Sequence, residues 1–464
     1  MLTLVFLLQA ATPVAITHVN VVDVERGRLA ADQTVLVVGN RISRVAGASA
    51  IVVPAGSRVV DGTGKFLIPG LWDMHVHAVL VGLGDSFLPL LVANGVTGVR
   101  DMFTATAAVA GWRKRISSGE AVGPRVGTFG SLVDGDPPIW PGSVVAKTPE
   151  DGHRIVDSLK AAGVGFVKVY SRLLPETFAA IADRANALGI PFAGHVPALV
   201  PPTTAARAKM RTVEHLQQML QGCSAREDEV LGALAAAVAS SKRWDSAGVV
   251  SRGQAAVLVD SYDAARCERL AGELKRGGTW MVPTLTVLRS VSHLDDSSLT
   301  ADPRLKYIPT SMKSSWSPKN DFRFKMLTPA DWAVRRRVYA RQLEIARVFH
   351  RLGVRFLAGT DLANPYLYPG FSLHDELALL VSVGFTPLEA LRAATLEPAR
   401  FLGATDSLGT VAVGKLADLV LLSADPLADI ENVRRVDVVI ADGRLYDADA
   451  RAALFKAQEE RAAR

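Results

Sequence analysis

The sequence predicts an α/β protein: a TIM-type (β/α)8 barrel carrying a small composite β-sandwich domain built from both chain ends. Three observations lead there. Eight short apolar runs alternate with helical patterns between residues 67 and 405. Residue types suited to chemistry stand where those runs end, the position at which barrel strands deliver catalytic groups. Two strand-rich segments near opposite ends of the chain share one texture, as the two halves of a single small domain would.

Taken in order, residues 1–12 have a short apolar stretch ending in small residues, like a signal peptide without the usual basic start. Export to the periplasm or exterior is one expectation, a cytoplasmic location the other. Residues 13–66 read as short strands, VAITHVNVVD, TVLVVGNRISRVA and SRVVDGTGKFLI, punctuated by Gly, Asp and Asn. They form the first part of the sandwich. The barrel follows at 67–405, with runs at 67–77, 95–102, 124–133, 166–171, 191–197, 211–216, 279–286 and 355–361. Between the last two, residues 329–352 put Val334, Val338, Ile345, Val348, Phe349 and Leu352 on one helix face and arginines on the other. Residues 287–328 show no clear strand or helix, and their Tyr307, Trp316, Phe322 and Phe324 belong either to a cover over the site or to a surface insertion. Residues 406–464 return to strands in LGTVAVGKLADLVLLS and VDVVIADGRLY and end in a helix. An open Rossmann-like sheet is the alternative architecture, but no glycine-rich phosphate loop follows the first run.

Composition narrows the function. A chain of 464 residues, 49% hydrophobic, holds a large core, and no run reaches the about 20 apolar residues that span a bilayer. The net charge of +6 comes from Arg and Lys scattered among acids, so neither nucleic acid nor a membrane is expected as a partner. Cys223 and Cys267 are the two cysteines, without a CxxC, which excludes a thiolate metal site and leaves their pairing open.

The strand-end residues carry the chemistry. His75 and His77 are two apart on a strand, so both imidazoles face one side and can chelate. His195 and His215 end runs five and six. Each alone reads equally well as a hydrogen-bonded core histidine, yet four of nine histidines ending one set of strands argues for a metal site. Lys168 lies between Val167 and Val169, where an ammonium is costly unless it is paired or neutral. It is either salt-bridged to an acid or a neutral amine able to take up carbon dioxide as a metal-bridging carbamate. Asp361 alone would be a helix cap; beside four histidines and a lysine it reads as a metal-bound carboxylate that takes a proton from attacking water.

With these residues in place, the chain resembles the amidohydrolase superfamily, in the branch related to imidazolonepropionase that includes metal-dependent Xaa-Pro dipeptidases and ochratoxin-hydrolysing amidohydrolases. The resemblance runs through PGLWDMHVH, FVKVY, GHVP, VEHL, AGTD, PGFSLHDELALL, EALRAATLEPAR and LGTVAVGKLADLVLLS, nearly the whole chain. It implies two divalent metal ions, with zinc first among the candidates. His75, His77 and Asp361 would hold the more buried ion, His195 and His215 the more exposed one, and carbamylated Lys168 would bridge them. It also implies that Tyr170 polarises the scissile carbonyl, although a packed barrel tyrosine is an equal reading. His374 follows strand eight, but Ser372 with Asp375 looks like a helix cap, so His374 is expected in the first turn and outside the ligand set.

Two metals sharing a hydroxide would make a nucleophile near neutral pH. The expected enzyme is therefore a hydrolase of an amide or peptide bond, in a small-molecule or dipeptide-like substrate of Xaa-Pro or N-acyl amino acid type, including ochratoxin-like amides; a homo-oligomer is expected. A single-metal deaminase, a cyclic-amide or lactone hydrolase and a non-catalytic binding relative stand as alternatives. Histidine and carboxylate donors also accept manganese, cobalt or nickel.

Overall fold

Gly70 divides the first expected barrel run between two sheets. In the computed structural model, which describes residues 12–80, 82–241 and 253–464, the run at 67–77 is two strands rather than one. The expected signal-like segment lies almost wholly outside the described residues. The strands are β1 (Val14–Asp23), β2 (Arg28–Val38), β3 (Arg41–Gly47), β4 (Arg58–Asp61), β5 (Phe66–Pro69), β6 (Leu71–Val76), β7 (Val96–Asp101) and β8 (Arg125–Asp134). They continue as β9 (Val144–Val145), β10 (Phe166–Val169), β11 (Phe192–Gly194), β12 (Thr212–Glu214), β13 (Trp280–Val282), β14 (Leu419–Leu422), β15 (Val436–Ala441) and β16 (Arg444–Tyr446). At Gly70 a side chain would meet Thr97 Oγ1 at 2.0 Å, so only glycine lets the chain cross from one sheet to the other here.

The first sheet has the order β16-β15-β14-β5-β1-β2-β3, with β4 beside β1. Strands from both chain ends thus pair directly, β14 running antiparallel to β5. A small β-sandwich built from both chain ends is expected; the strands of both ends lie in one hydrogen-bonded sheet whose wings share a core. Ile16, Val35 and Ile42 from one wing pack with Leu419, Leu421 and Ile440 from the other. The wings also touch through backbone, Ile42 N–H donating to Lys415 O at 2.9 Å and Ala417 N–H to Asn40 O at 2.9 Å.

The second sheet is parallel, in the order β13-β12-β11-β10-β8-β7-β6, with β9 beside β8. The expected eighth strand is not a regular one. Residues 355–362 make isolated bridges on two sides, to Met281 of β13 and Val76 of β6. Leu357 N–H donates to Met281 O at 2.9 Å, while Met74 N–H donates to Ala358 O at 2.9 Å and Asp361 N–H to His75 O at 2.7 Å. Regular pairing stops because Asp361 and Ala363 take left-handed φ values of 63° and 104°. Gly359 allows the close approach, since a side chain there would lie 2.6 Å from Val282 Cγ1 and 2.9 Å from His75 Cβ.

Helices begin where the sequence supplies caps. Thr328 and Asp331 form a capping box on the helix Pro329–Arg351, as do Thr386 and Glu389 on Pro387–Ala393. The expected cap of Ser372 with Asp375 is absent: the helix Phe371–Ser382 starts from Gly370 with no side-chain cap. Ser372 Oγ instead accepts from Tyr368 N–H at 2.8 Å, and Asp375 pairs with Arg304 at 2.8 Å and Arg434 at 2.9 Å. The segment 287–328 is more ordered than its sequence suggests, with a helix Leu285–Ser292, two 3-10 turns and a short helix Thr310–Ser315. Cys223 and Cys267 form a disulfide. Among the described residues no helix is long and apolar enough to cross a membrane.

Candidate metal centre and active site

The residues at the ends of the parallel strands converge. His75 and His77 leave β6, Lys168 lies in β10, His195 follows β11, His215 follows β12, and Asp361 sits in the irregular segment bridging β13 and β6. Asp361 Oδ1 lies 3.4 Å from His75 Nε2 and 3.1 Å from His77 Nε2, and its Oδ2 lies 3.9 Å from His215 Nδ1. The rings of His75 and His215 are 4.5 Å apart and those of His195 and His215 4.9 Å. His75, His77 and Asp361 offer ligand atoms that all fall within 4.8 Å of one another.

Three imidazoles are fixed through the nitrogen that would not bind a metal. His75 Nδ1–H donates to Glu214 Oε2 at 2.7 Å. Thr284 spends its only hydroxyl hydrogen on Pro283 O at 2.8 Å, so its oxygen must accept from His215 Nδ1–H at 2.7 Å. His195 Nδ1 is 2.8 Å from Ser171 Oγ. In the His75 and His215 rings Nε2 is left for a ligand, and His75 Nε2 is buried with no hydrogen-bond partner. Outer partners of this kind set the tautomer and orientation of metal-binding histidines. The donor set therefore fits a divalent metal.

Protonation agrees with that use. Burial, with His215 and Lys168 nearby, holds the His75 imidazole well below its ordinary range, and burial does the same for His195. Burial outweighs the Asp361 carboxylate and lowers His215 to about 4. These rings are neutral at pH 7, as ligands must be. Burial pushes the Asp361 carboxyl up, but His215, His77 and Lys168 outweigh it and keep it below its ordinary value. Lys168 is 2% exposed, and burial lowers its ammonium to about 8 despite Asp361, Glu214 and Asp101. Tyr170 Oη accepts from Trp140 Nε1 at 2.9 Å, and burial raises the phenol, so its own O–H remains available to donate.

Three further buried ionisable groups, Glu214, Arg100 and Asp73, support the site without being among the residues predicted for it. Glu214, which holds His75, also accepts from Arg100 Nη2 at 2.9 and 3.0 Å and from Thr212 Oγ1. Arg100 in turn donates to Met74 O at 2.7 Å. Asp73 accepts from Thr360 N–H at 3.0 Å and Thr360 Oγ1 at 2.6 Å, tying β6 to the Asp361 segment; burial raises its carboxyl to about 7. Their sequence signal is the same as that of Lys168, a charged residue inside an apolar strand. His374 is in the first turn of its helix, buried, and donates from Nε2 to Asn94 O at 2.9 Å, outside the cluster.

The cluster opens into a cleft of about 380 Å³ whose lining also includes Val287, Leu288, Val291, Arg323 and Phe324. The two ends of the segment 287–328 thus contribute side chains to the lining of the site. Phe322 packs edge-on against Trp140, ring centres 5.5 Å apart.

Comparison with known proteins agrees with this architecture. The Amidohydrolase family model matches residues 66–446, and the chain belongs to that family. An imidazolonepropionase of Symbiobacterium thermophilum is 38% identical over 79 residues, 17% of this chain; the match spans 18% of that relative's length. A bottromycin amidohydrolase superposes with a TM-score of 0.73 at 25% identity, covering 97% of this chain and 90% of its own. A Xaa-Pro dipeptidase crystallised with methionine in its active site gives 0.67 at 19% identity, covering 94% of this chain and 100% of its own. The resemblance read from the motifs therefore holds at the level of the amidohydrolase family.

Proposed function

We propose that this chain is a binuclear metal-dependent hydrolase that cleaves an amide or peptide bond in Xaa-Pro dipeptides or N-acyl amino acids, the ochratoxin-like amides included. The observation that carries the reading is the set of neutral imidazoles with Nδ1 held by protein groups, gathered with Asp361 around a buried lysine. His75, His77 and Asp361 would hold one ion and His195 with His215 the other, zinc suiting these donors. Lys168 would bridge them: a neutral Nζ attacks carbon dioxide, forming the N–C bond and releasing one proton, to give an anionic carbamate. The lowering of its ammonium to about 8 supports this step. We also read residues 355–362 as the eighth strand closing a (β/α)8 barrel, on the strength of their bonds to both β13 and β6. The Cys223–Cys267 disulfide favours the exported location.

Bound divalent ions would polarise the scissile carbonyl and lower the pKa of water towards neutrality. Asp361 takes the proton of the attacking water and returns it to the departing amine nitrogen. Tyr170 donates its O–H to the carbonyl oxygen as negative charge builds there. The apolar side chains Val287, Leu288, Val291 and Phe324 along the cleft lower the local dielectric and strengthen both interactions.

The test is a hydrolysis screen over dipeptides and N-acyl amino acids with metal-loaded protein, combined with metal counting. Activity on one of these classes with two ions per chain is expected, and Lys168→Ala should lose most metal and at least 100-fold in rate. A fully active Lys168→Ala protein with two ions per chain would refute the bridge. One ion per chain and release of ammonia would favour the single-metal deaminase, a reading that the compact His75, His77 and Asp361 group also suits.

A further inference from the structure

The proposed substrates share a free carboxylate on the departing amino acid, and the cleft contains a cation with donors to spare. Arg323 comes from the segment 287–328. Its Nε donates to both oxygens of Asp321 at 3.0 and 3.1 Å, its Nη2 to Asp321 Oδ2 at 2.6 Å, and its Nη1 to Asn364 Oδ1 at 2.9 Å. A guanidinium has five N–H groups. Three are engaged, leaving one on each terminal nitrogen.

Two short chains of contact place this group beside the chemistry. Asn364, which accepts from Arg323, donates from Nδ2 to the backbone oxygen of Asp361 at 3.1 Å. Trp140, which donates to the Tyr170 hydroxyl, lies with its ring centre 5.5 Å from the Arg323 guanidinium carbon. Arg323 is therefore one side chain removed from both Asp361 and Tyr170. Asp321 and the rings of Trp140 and Phe324 hold it in place, Phe324 at 4.9 Å. Among the described residues lining the cleft, Asp361 is the only carboxylate.

Building on the amide-hydrolase reading, we infer that Arg323 sets specificity by binding the terminal carboxylate of the departing amino acid through its two uncommitted N–H groups. The scissile carbonyl then lies towards Tyr170 and the paired histidines. An arginine fork suits this task because it meets a carboxylate with two parallel bonds.

The test uses the metal-loaded enzyme with Phe-Pro and N-acetylphenylalanine, each compared with its C-terminal methylamide. The wild type should prefer the free carboxylate by roughly 10- to 100-fold in kcat/KM, expressed mainly in KM. Arg323→Gln should reduce that preference to a few-fold, and Arg323→Lys should retain part of it. Because Arg323→Gln strands Asp321, the double variant Asp321→Asn with Arg323→Gln serves as a second probe and should show the same collapse. Equal turnover of acid and methylamide by the wild type, or an undiminished preference in both variants, would overturn the assignment. If the wild type cleaves neither substrate, the hydrolase reading fails, and calorimetry decides the role of Arg323. Tighter binding of Phe-Pro than of its methylamide, lost in Arg323→Gln, supports it; equal binding removes it.

Discussion

At the scale of single residues, the most consequential group is one that binds no substrate. Glu214 is fully buried, and its carboxylate is shared between the His75 imidazole and the Arg100 guanidinium. Removing that charge leaves Arg100, itself 1% exposed, as a buried cation with no anion in contact. Breaking a buried pair in this way costs about 3–5 kcal/mol. On the proposed metal-site reading, the same change frees the His75 ring to rotate or change tautomer, which would lower metal affinity about 10- to 100-fold. Glu214→Gln is thus expected to lower the urea midpoint and to need more metal for half-maximal activity. Thermal or chemical unfolding of the metal-free protein, followed by metal titration of the folded fraction, checks both parts. An unchanged metal requirement would mean that Glu214 supports the fold alone.

At the scale of elements, the helix Leu285–Ser292 joins the site to the body of the protein. Its outward residues Val287, Leu288 and Val291 line the cleft, and Thr284, just before it, holds His215. The helix start is fixed by Glu376 from the helix Phe371–Ser382, which accepts from Leu285 N–H at 2.9 Å, Thr286 N–H at 2.8 Å and Thr286 Oγ1 at 3.1 Å. Thr284 needs that clamp because it sits at a left-handed φ of 48°, a costly conformation for a β-branched residue. Glu376→Ala leaves three buried donors without an acceptor, a loss of about 2–4 kcal/mol. It should also reduce activity more than a control of equal stability loss elsewhere, because Thr284 and with it His215 lose their register. The measurement is kcat against unfolding free energy for Glu376→Ala and for a core control such as Leu419→Ala in the distant sheet.

At the scale of the whole molecule, both chain ends are needed to complete the first sheet. β14 pairs with β5 on one side and β15 on the other, so the C-terminal strands complete a sheet begun by the N-terminal ones. Arg125, at the start of β8, pairs with Asp418 at 2.6 Å and Asp442 at 2.5 Å, tying the parallel sheet to the same strands. A chain ending at residue 405 would expose the β5 edge and the apolar faces of Leu67 and Ile68, both fully buried in the whole protein. Such a truncation is expected to aggregate on expression, while the full chain melts cooperatively. Recovery of a soluble, cooperatively melting 1–405 fragment would show that the parallel sheet folds without its partner.

Part of this was legible in the amino-acid order. Strand-length apolar runs, helical periodicity and the ligand types at run ends are local properties, and period-2 alternation alone put His75 and His77 on one face. The family kinship followed from motifs in the same order. What only the tertiary structure decided depends on groups far apart in the chain. Glu214 meets His75 across 139 positions, so no spacing rule links them. Whether 67–77 was one strand or two rested on the contact of Gly70 with Thr97. The eighth segment read as a strand but curls, because the left-handed backbone at Asp361 aims the carboxylate at the histidines instead of continuing the ladder. The segment 287–328 carried no periodic signal, and packing against the cleft alone set Arg323 beside Asn364 and Trp140. Sequence order records which face of an element is apolar; which distant charge satisfies a buried partner is settled when those faces close.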